Sequence, residues 1–339
     1  MSRAEPAPTG PRRLIGFFVS LAIGLPLAVL FSWPQAFGAQ RAPVIAQLIS
    51  FRAPLALGLA VVAVIAGIIA LLRHRWGVAA AMAMVLSMTA AANGAVLLQR
   101  GSSAELPEGD LTVVAWNTQG GATSPADVAR LVLDVEADIV SLPETDEHAA
   151  AEIVRILAAG GVRMARDTTR ADNEYSGIPT SVLIAEALGE YRIDTAAGST
   201  PGLPSAVWRP VEGTGPTVVA AHPLPPLFAH MEDWDAGLRW IASICDAPDV
   251  IVAGDLNATV DHMSGLGVDG ALIGGCDDAA LAAGDGATGT WPSAAPTWAA
   301  APIDHVLIGS AWAARGARVI TSFDAGSDHR AIVTVLDER

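Results

Sequence analysis

The sequence contains no lysine, so arginine supplies every permanently charged cationic side chain. Charged residues of both signs make up only 16% of the 339 residues, whereas apolar residues make up 52%. Such a scarcity of charge argues against a purely soluble chain and favours one that carries membrane segments. The length leaves room for one ordinary domain in addition to those segments.

Negative charge strongly outweighs positive charge in the C-terminal two thirds of the chain. Residues 101–339 contain 12 arginines against 34 acidic residues, a net charge of −22. Tight binding of long duplex DNA depends on phosphate neutralisation by lysine and arginine, so this composition argues against that activity. A bound metal ion would offset part of the negative charge at an active site.

Cysteine is also scarce, since the chain has only Cys245 and Cys276. An even pair in an oxidising compartment favours a disulfide. Two buried thiols are the alternative, because sequence alone does not show how close the two Cα atoms come.

Three long apolar runs occupy the N-terminal part of the chain, over about residues 14–31, 54–72 and 77–98. Each is close to the ~20 residues that a helix needs to cross a hydrocarbon core of about 30 Å. We therefore predict a membrane anchor over residues 1–100 with three transmembrane helices. The first run, followed by Ala36-Phe37-Gly38-Ala39, also resembles a cleavable signal peptide. A transporter is disfavoured, because the second and third runs contain no charge that would form a substrate path.

The arginines that flank the apolar runs predict the orientation. Five of them lie on one side of the membrane and two on the other, the five being Arg3, Arg12, Arg13, Arg73 and Arg75 and the two Arg41 and Arg52. Cytoplasmic loops are enriched in arginine, so the N-terminus is expected inside. The chain after Arg100 is then extracytoplasmic, in a multi-pass membrane protein.

A polar stretch over residues 101–110 is predicted to be a linker, and residues 111–339 a single domain. Strand and helix patterns alternate in this domain, which favours an α/β fold with sheets inside and helices outside. The predicted strands cover residues 111–116, 138–142, 180–185, 216–221, 249–253, 303–308 and 330–336. The predicted helices cover residues 125–135 and 234–245, the first with Ser124 as its N-cap.

Polar residues follow the predicted strands or stand at their edges, where an enzyme built on sheets collects its functional groups. Each of them alone is more often a turn or capping residue. Together they form an ordered set: Trp116-Asn117, Pro143-Glu144-Thr145, Ala221-His222-Pro223, Gly254-Asp255-Leu256-Asn257, Ile303-Asp304-His305 and Ser327-Asp328-His329.

This ordered set resembles the endonuclease/exonuclease/phosphatase superfamily, the DNase I-like group, over about residues 111–336. The resemblance implies a DNase I-like layered β-sandwich flanked by helices, and an enzyme that hydrolyses phosphoric esters with Mg²⁺ or Mn²⁺. Carboxylate and amide oxygens are suitable ligands for such ions. By resemblance, the metal ligands are Glu144, Asn117 and Asp328, and the catalytic residues are His329, Asp304, Asp255, Asn257 and His222.

The resemblance also implies roles for these residues. Asp304 would orient His329, which can exchange a proton near neutral pH. Asp255 would orient or deprotonate the attacking water or protonate the leaving oxygen, and its division of labour with His329 stays open. Asn257 and His222 would donate hydrogen bonds to phosphate.

Three further positions are less certain to carry function. Tyr175 is either a substrate contact or a loop aromatic, and His305 is interpreted as structural. Gln119 stands where some DNA-repair relatives have an acidic residue, which puts a second metal ligand there in doubt.

The substrate is left open among nucleic acid, a lipid headgroup and a small phosphodiester, because one fold serves many functions. A membrane anchor favours a lipid headgroup, since it concentrates the site near the bilayer. Trp208, Trp234, Trp291 and Trp298 are candidates for lipid or base contacts, with core packing as the alternative. A catalytically silent, membrane-anchored binding module is the competing hypothesis, and no obligate protein partner is indicated.

Overall fold

The computed structural model describes residues 10–72, 77–213, 215–322 and 326–339. The chain divides into two compact units, Met1–Leu98 and Gln99–Arg339. Four α-helices begin in the first unit: α1 (Gly10–Ser32), α2 (Ile45–Ser50), α3 (Arg52–Leu72) and α4 (Val78–Arg100). Among the described residues, three helices are long and apolar enough to cross a membrane, over Arg13–Ser32, Arg52–Leu72 and Val78–Arg100. Three of the arginines used to predict the orientation, Arg3, Arg73 and Arg75, lie outside the described residues.

A buried polar cluster joins the three long helices of the first unit. Arg52 is only 3% exposed, and its Nη1 donates to Asn93 Oδ1 at 2.6 Å and to the carbonyl oxygen of Ser32 at 3.0 Å. The Asn93 amide in turn donates to the carbonyl oxygen of Phe31 at 3.1 Å. Buried polar groups need such partners. Arg52 is therefore a residue of the helix interface, where the sequence had suggested a loop charge.

The second unit contains two six-stranded mixed β-sheets. Sheet A has the strand order β13-β14-β1-β2-β4-β3, and sheet B has the order β11-β12-β8-β7-β6-β5. Strands β9 and β10 form a separate two-stranded sheet. The strands are β1 (Leu111–Ala115), β2 (Ile139–Pro143), β3 (Met164–Thr169), β4 (Thr180–Ala185), β5 (Tyr191–Ile193), β6 (Ala206–Pro210), β7 (Thr217–Ala221), β8 (Val250–Asp255), β9 (Leu266–Gly267), β10 (Ile273–Gly274), β11 (Asp277–Asp278), β12 (Asp304–Ile308), β13 (Trp312–Val319) and β14 (Ile332–Glu338).

Each six-stranded sheet is built around one parallel pair, β1 with β2 in sheet A and β7 with β8 in sheet B. The inward faces of the two sheets share an apolar core that includes Val113, Ile139, Val218, Ile251 and Val306. These strands are apolar at nearly every position because both of their faces are covered. The predicted layered β-sandwich is thereby confirmed.

The helices of this unit are α5 (Pro125–Asp134), α6 (Glu147–Ala159), α7 (Met231–Ile244), α8 (Val260–Met263) and α9 (Ala279–Ala282). Helices α5 and α6 cover the outer face of sheet A, as predicted, whereas the short helix α9 packs into the core that the two sheets share. The Ser124 hydroxyl accepts from the Asp127 amide and caps α5, and Pro125 occupies its first position. Cys245, at the end of α7, forms a disulfide with Cys276, with the Cα atoms 5.4 Å apart.

Candidate active site

The topology brings the ends of six strands together. Asn117, Glu144, His222 and Asp255 follow or end the parallel strands β1, β2, β7 and β8. Strands β12 and β14 run antiparallel to β8 and β1, so Asp304 pairs with Asp255 and Ile332 pairs with Ala115. The first residues of β12 and β14 therefore lie beside the last residues of the parallel strands. His329 enters the same region three residues before β14.

Asn117 connects two carboxylates, one from each sheet. Its Nδ2 donates to Glu144 Oε1 at 3.0 Å and to Asp255 Oδ2 at 3.1 Å. Its Oδ1 accepts from the backbone amide of Gln119 at 2.9 Å, which fixes the orientation of the side chain. Amide donors between two carboxylates reduce their mutual repulsion. Asn117 thus sets the separation of Glu144 and Asp255.

The backbone is strained around these groups. Three non-glycine residues of the region have positive φ, namely Gln119 (52°), Glu144 (61°) and Asn257 (47°). Such conformations cost roughly 1–3 kcal/mol each and persist where the surrounding structure holds them. Gly254, with φ of 152°, allows close pairing of β7 and β8, because a Cβ there would lie 2.0 Å from the carbonyl oxygen of Ala221. The Gly-Asp-x-Asn motif therefore needs its glycine.

His329 and Asp304 form a buried hydrogen-bonded pair, with Nδ1 and Oδ2 2.9 Å apart. The other ring nitrogen of His329, Nε2, lies 3.7 Å from Asp255 Oδ2. Burial on its own lowers the pKa of His329, but the charges of Asp304 and Asp255 outweigh it and raise the pKa to about 10. The imidazolium form of His329 is therefore favoured at neutral pH.

Asp255 lies at the centre of the site and is only 2% exposed. Its Oδ1 accepts from the backbone amide of Asn257 at 2.8 Å, while Oδ2 faces Asn117, His222 and His329. Burial raises the pKa of Asp255 above that of an ordinary aspartate, although His329 opposes the shift. A raised pKa makes a carboxylate a stronger proton acceptor.

His222 is buried beside the same carboxylates. Its Nε2 is 3.8 Å from Asp255 Oδ2 and 3.9 Å from Glu144 Oε1. Burial lowers the pKa of His222, so its neutral form is favoured. The backbone amide of His222 donates to Ser205 Oγ at 2.8 Å, whereas its Nδ1 is a buried atom without a hydrogen-bond partner among the described residues. Since the hydrogen bond to Ser205 is made by the backbone of His222, the imidazole ring itself can form a hydrogen bond with a ligand.

The charges of this region suit a divalent cation. Three carboxylates, those of Asp255, Asp304 and Asp328, lie within 4.0 Å of the His329 ring, and a fourth, that of Glu144, lies beside His222. The side chains of Glu144 and Asp328 are 28% and 42% exposed. A hydrated Mg²⁺ or Mn²⁺ binds through a few carboxylates and retains water, which favours these two exposed groups.

A second carboxylate arrangement is also compatible with a metal ion. Ligand atoms of Asp255, Asp304 and His329 lie within 4.8 Å of one another. In that group, however, the hydrogen bond to Asp304 already occupies His329 Nδ1.

Sequence reasoning assigned no role to several residues that support the site. Ser327 Oγ donates to the carbonyl oxygen of Asn117 at 2.7 Å and accepts from the His329 amide at 3.0 Å, so it joins both ends of the site. Gln119 Oε1 accepts from the Asp328 amide at 2.9 Å, which gives it a structural role in place of an acidic ligand. The Ser-Asp-His motif pointed towards Ser327, whereas nothing local in the sequence pointed to the contact made by Gln119.

Trp291 is a further supporting residue. Its Nε1 donates to Asp328 Oδ2 at 2.9 Å, and its ring centroid lies 6.4 Å from that of His329. The indole thus orients the more exposed carboxylate of the site. Because 37 residues separate Trp291 from Asp328, only the folded chain reveals this pair.

The remaining predicted residues lie around this centre. One amide donor of Asn257 holds the carbonyl oxygen of Pro223 at 3.1 Å, which ties its loop to the one after His222. Tyr175 is half-buried, and its ring packs edge-on against His230, with centroids 6.4 Å apart. His305 faces Asp278 and the carbonyl oxygen of Ala258.

Comparisons with known proteins agree with this geometry. The profile of the Endonuclease/Exonuclease/phosphatase family matches residues 114–329. An endonuclease/exonuclease/phosphatase from Beutenbergia cavernae superposes with a TM-score of 0.52 at 19% identity, over 68% of this chain and 72% of that chain. D. rerio TDP2 humanized by 14 mutations superposes with a TM-score of 0.51 at 16% identity, over 67% and 98% of the two chains. D. rerio TDP2 complexed with single strand DNA product gives 0.50 at 20% identity, over 67% and 98%. No curated protein sequence matches the chain. These likenesses confirm the DNase I-like fold.

Proposed function

Because the chain belongs to the endonuclease/exonuclease/phosphatase family, we propose that it is a membrane-anchored hydrolase of phosphoric esters that depends on a divalent metal ion. The observation that carries this proposal is the convergence of Asn117, Glu144 and Asp255 beside the His329–Asp304 pair. These groups provide a cation site, a proton acceptor and a proton donor within one cluster.

In the proposed mechanism, Glu144, Asn117 and Asp328 hold Mg²⁺ or Mn²⁺. Such an ion would supply positive charge to phosphate oxygens, where negative charge develops in the transition state. Asp255 accepts the proton of the attacking water, a role favoured by its raised pKa. As the bond between phosphorus and the leaving oxygen breaks, His329, held in place by Asp304, donates its proton to that oxygen. His222 and the second amide donor of Asn257 bind the remaining oxygens.

A catalytic domain on the extracytoplasmic side is supported by two observations. The arginine distribution favours a cytoplasmic N-terminus, and the burial of Arg52 removes one of the two arginines that opposed it. The disulfide between Cys245 and Cys276 suits an oxidising compartment. A reporter fused after Leu336 is expected to be active outside the cytoplasm only. Activity confined to the cytoplasm would reverse the proposed topology.

A lipid headgroup is the substrate class that we favour. Leu227 and Phe228, which follow His222 in the chain, are 57% and 72% exposed, and Trp298 is 57% exposed. Exposed apolar side chains on loops connected to a site suit an apolar substrate or surface. Trp208 and Trp234 are buried and belong to the core. The net charge of −22 over residues 101–339 also disfavours long nucleic acid.

Nucleic acid is the second candidate, favoured by the structural likeness to D. rerio TDP2 complexed with single strand DNA product. A catalytically silent binding module is the third candidate. It is disfavoured because binding alone does not require a buried histidine–aspartate pair next to a third carboxylate.

The test uses the full chain in detergent micelles with Mg²⁺ or Mn²⁺. The substrates are an aryl phosphodiester, single-stranded DNA, plasmid DNA and phospholipid vesicles. We expect hydrolysis of phospholipid that EDTA abolishes and that falls about 10²–10⁴-fold in His329→Ala, because general acid–base catalysis contributes about that factor. His148→Ala, at an exposed position, is the matched control.

The other outcomes separate the candidates. Cleavage of DNA alone would make the protein a nuclease. Full activity of His329→Ala would refute the mechanism, and no metal-dependent turnover on any of these substrates would favour the binding module.

A further inference from the structure

The last residue of helix α4, Arg100, forms a buried ion pair within the second unit. Its Nη2 lies 2.7 Å from Asp261 Oδ1, and the two side chains are 12% and 2% exposed. Arg155 and Glu152, by contrast, form a surface pair that is 66% and 39% exposed. Surface pairs contribute little to stability, whereas a buried carboxylate such as that of Asp261 depends on its charged partner. The Arg100 side chain is therefore part of the interior of this unit.

The backbone around Arg100 is attached to a second loop, residues 284–288. The carbonyl oxygen of Arg100 accepts from the Gly286 amide at 3.1 Å, and that of Gly101 accepts from the Ala287 amide at 2.9 Å. Gly101 has φ of 70°, and a Cβ there would lie 2.2 Å from the carbonyl oxygen of Gly284. The predicted linker thus begins as a fixed segment against this loop.

Asp261 connects Arg100 to the catalytic motif Gly254–Asn257. Asp261 lies in the short helix α8, which begins only three residues after Asn257. The Thr259 amide donates to His262 Nδ1 at 2.8 Å within this short helix. The carbonyl oxygen of Ala258 is held by His305 Nε2 at 2.7 Å. A displacement of α8 would therefore reach Asn257 and Asp255 through a short, well-bonded segment.

The second loop also leads to the active site. Thr290 Oγ1, a few residues after the contact with Arg100, accepts from the Asp304 amide at 3.2 Å. The next residue, Trp291, donates to Asp328 Oδ2 at 2.9 Å. Arg100 thus holds two segments, and each of them continues into residues that orient catalytic carboxylates.

We propose that Arg100 is a positioning residue for the active site, acting through Asp261 and residues 284–291. The end of the third apolar helix then belongs to the catalytic scaffold, although Arg100 itself does not touch substrate. A misplacement of about 1 Å in a catalytic group lowers the rate by roughly 10²-fold. This inference rests on the proposed function, since it concerns the same site.

The test compares full-length variants in detergent. Arg100→Gln is expected to lower kcat about ten- to hundredfold with little change in KM, because the substrate-binding groups stay while the catalytic carboxylates shift. Arg100→Lys, which keeps the charge, is expected to recover part of the loss. Arg155→Gln, at the exposed ion pair, is the matched control and keeps the wild-type kcat. If Arg100→Gln does not fold, Asp261→Asn provides the same comparison.

Hydrogen exchange supplies a readout that does not need activity. Faster exchange is expected in residues 255–263 and 284–291 of Arg100→Gln, and not in Arg155→Gln. Unchanged exchange in both segments, or an unchanged kcat in a folded Arg100→Gln or Asp261→Asn variant, would overturn the proposal. If the wild type is inactive while exchange rises as expected, only the proposed enzymatic function fails.

Discussion

Sheets A and B have the same plan but contribute differently to the site. Each has one parallel pair flanked by antiparallel strands, and each supplies carboxylates at the same edge. The two carboxylates that sheet B supplies, on Asp255 and Asp304, have side chains that are 2% and 0% exposed. Glu144 and Asp328, which flank strands of sheet A, are 28% and 42% exposed.

This difference divides the chemistry between the sheets. In the proposed mechanism the buried carboxylates act on protons, because burial strengthens their interaction with the neighbouring histidines. Exposed carboxylates can reach a hydrated cation and a substrate that arrives from solvent. In the proposed mechanism, the buried carboxylates of sheet B therefore act on protons together with His329, and the exposed carboxylates beside sheet A bind the metal ion. Asn117 joins the two parts.

The sharpest test of this division compares Asp304→Asn with Glu144→Gln. Asp304→Asn is expected to lower kcat about 10³–10⁴-fold, since His329 loses the group that orients it and stabilises its charge, but to leave the required metal concentration unchanged. Glu144→Gln is expected to lower kcat about 10²–10³-fold and to raise the metal concentration for half-maximal activity about tenfold or more. Both quantities, kcat and the metal concentration for half-maximal activity, are obtained by measuring the rate across a Mg²⁺ or Mn²⁺ titration.

Glu147→Gln, three residues from Glu144 and exposed, controls for a general loss of negative charge. A raised metal requirement in Asp304→Asn would break the division between the sheets. It would instead locate the ion among Asp255, Asp304 and His329, whose ligand atoms are also mutually close.

Much of this fold is predictable because the central strands are short, apolar and bounded by polar motifs. The strand predicted at residues 180–185 is β4, and the helix predicted at residues 125–135 is α5, one residue shorter. Helix α6 and strands β3, β6 and β13 were not predicted. In β3 and β13 polar or small residues weaken the pattern, because these strands lie at the edges of sheet A and are only partly buried.

The candidate site is less predictable than the strands that carry it. The order of the motifs along the chain identified the polar groups, because each group stands beside a strand end. That order does not give the distances between their side chains. The contact of Trp291 with Asp328 and that of Arg100 with Asp261 join residues 37 and 161 positions apart. Such contacts depend on tertiary packing, so no local pattern identifies them.

The smallest expected effect concerns His305, a buried histidine of sheet B beside the site. Its Nδ1 lies 2.6 Å from Asp278 Oδ2, and its Nε2 lies 2.7 Å from the carbonyl oxygen of Ala258. Since both nitrogens face acceptors, both must carry protons. Burial alone lowers the pKa of His305, but the charge and hydrogen bond of Asp278 outweigh it and raise the pKa above 6.5.

A raised pKa in the folded state means that this pair stabilises the protein fully below pH ~6.5, and that the contribution is lost as the pH rises through the folded-state pKa. His305→Gln should therefore lower the melting temperature most at about pH 6, by roughly 5–10 °C, since it leaves the buried Asp278 without its charged partner. The deficit relative to wild type should shrink as the pH rises through the raised, folded-state pKa of His305. Thermal unfolding of the full chain, followed by circular dichroism with His148→Gln as the exposed control, measures it. A deficit that is the same at every pH would mean that His305 is held by packing alone, and that sheet B stabilises the site without a second buried charge.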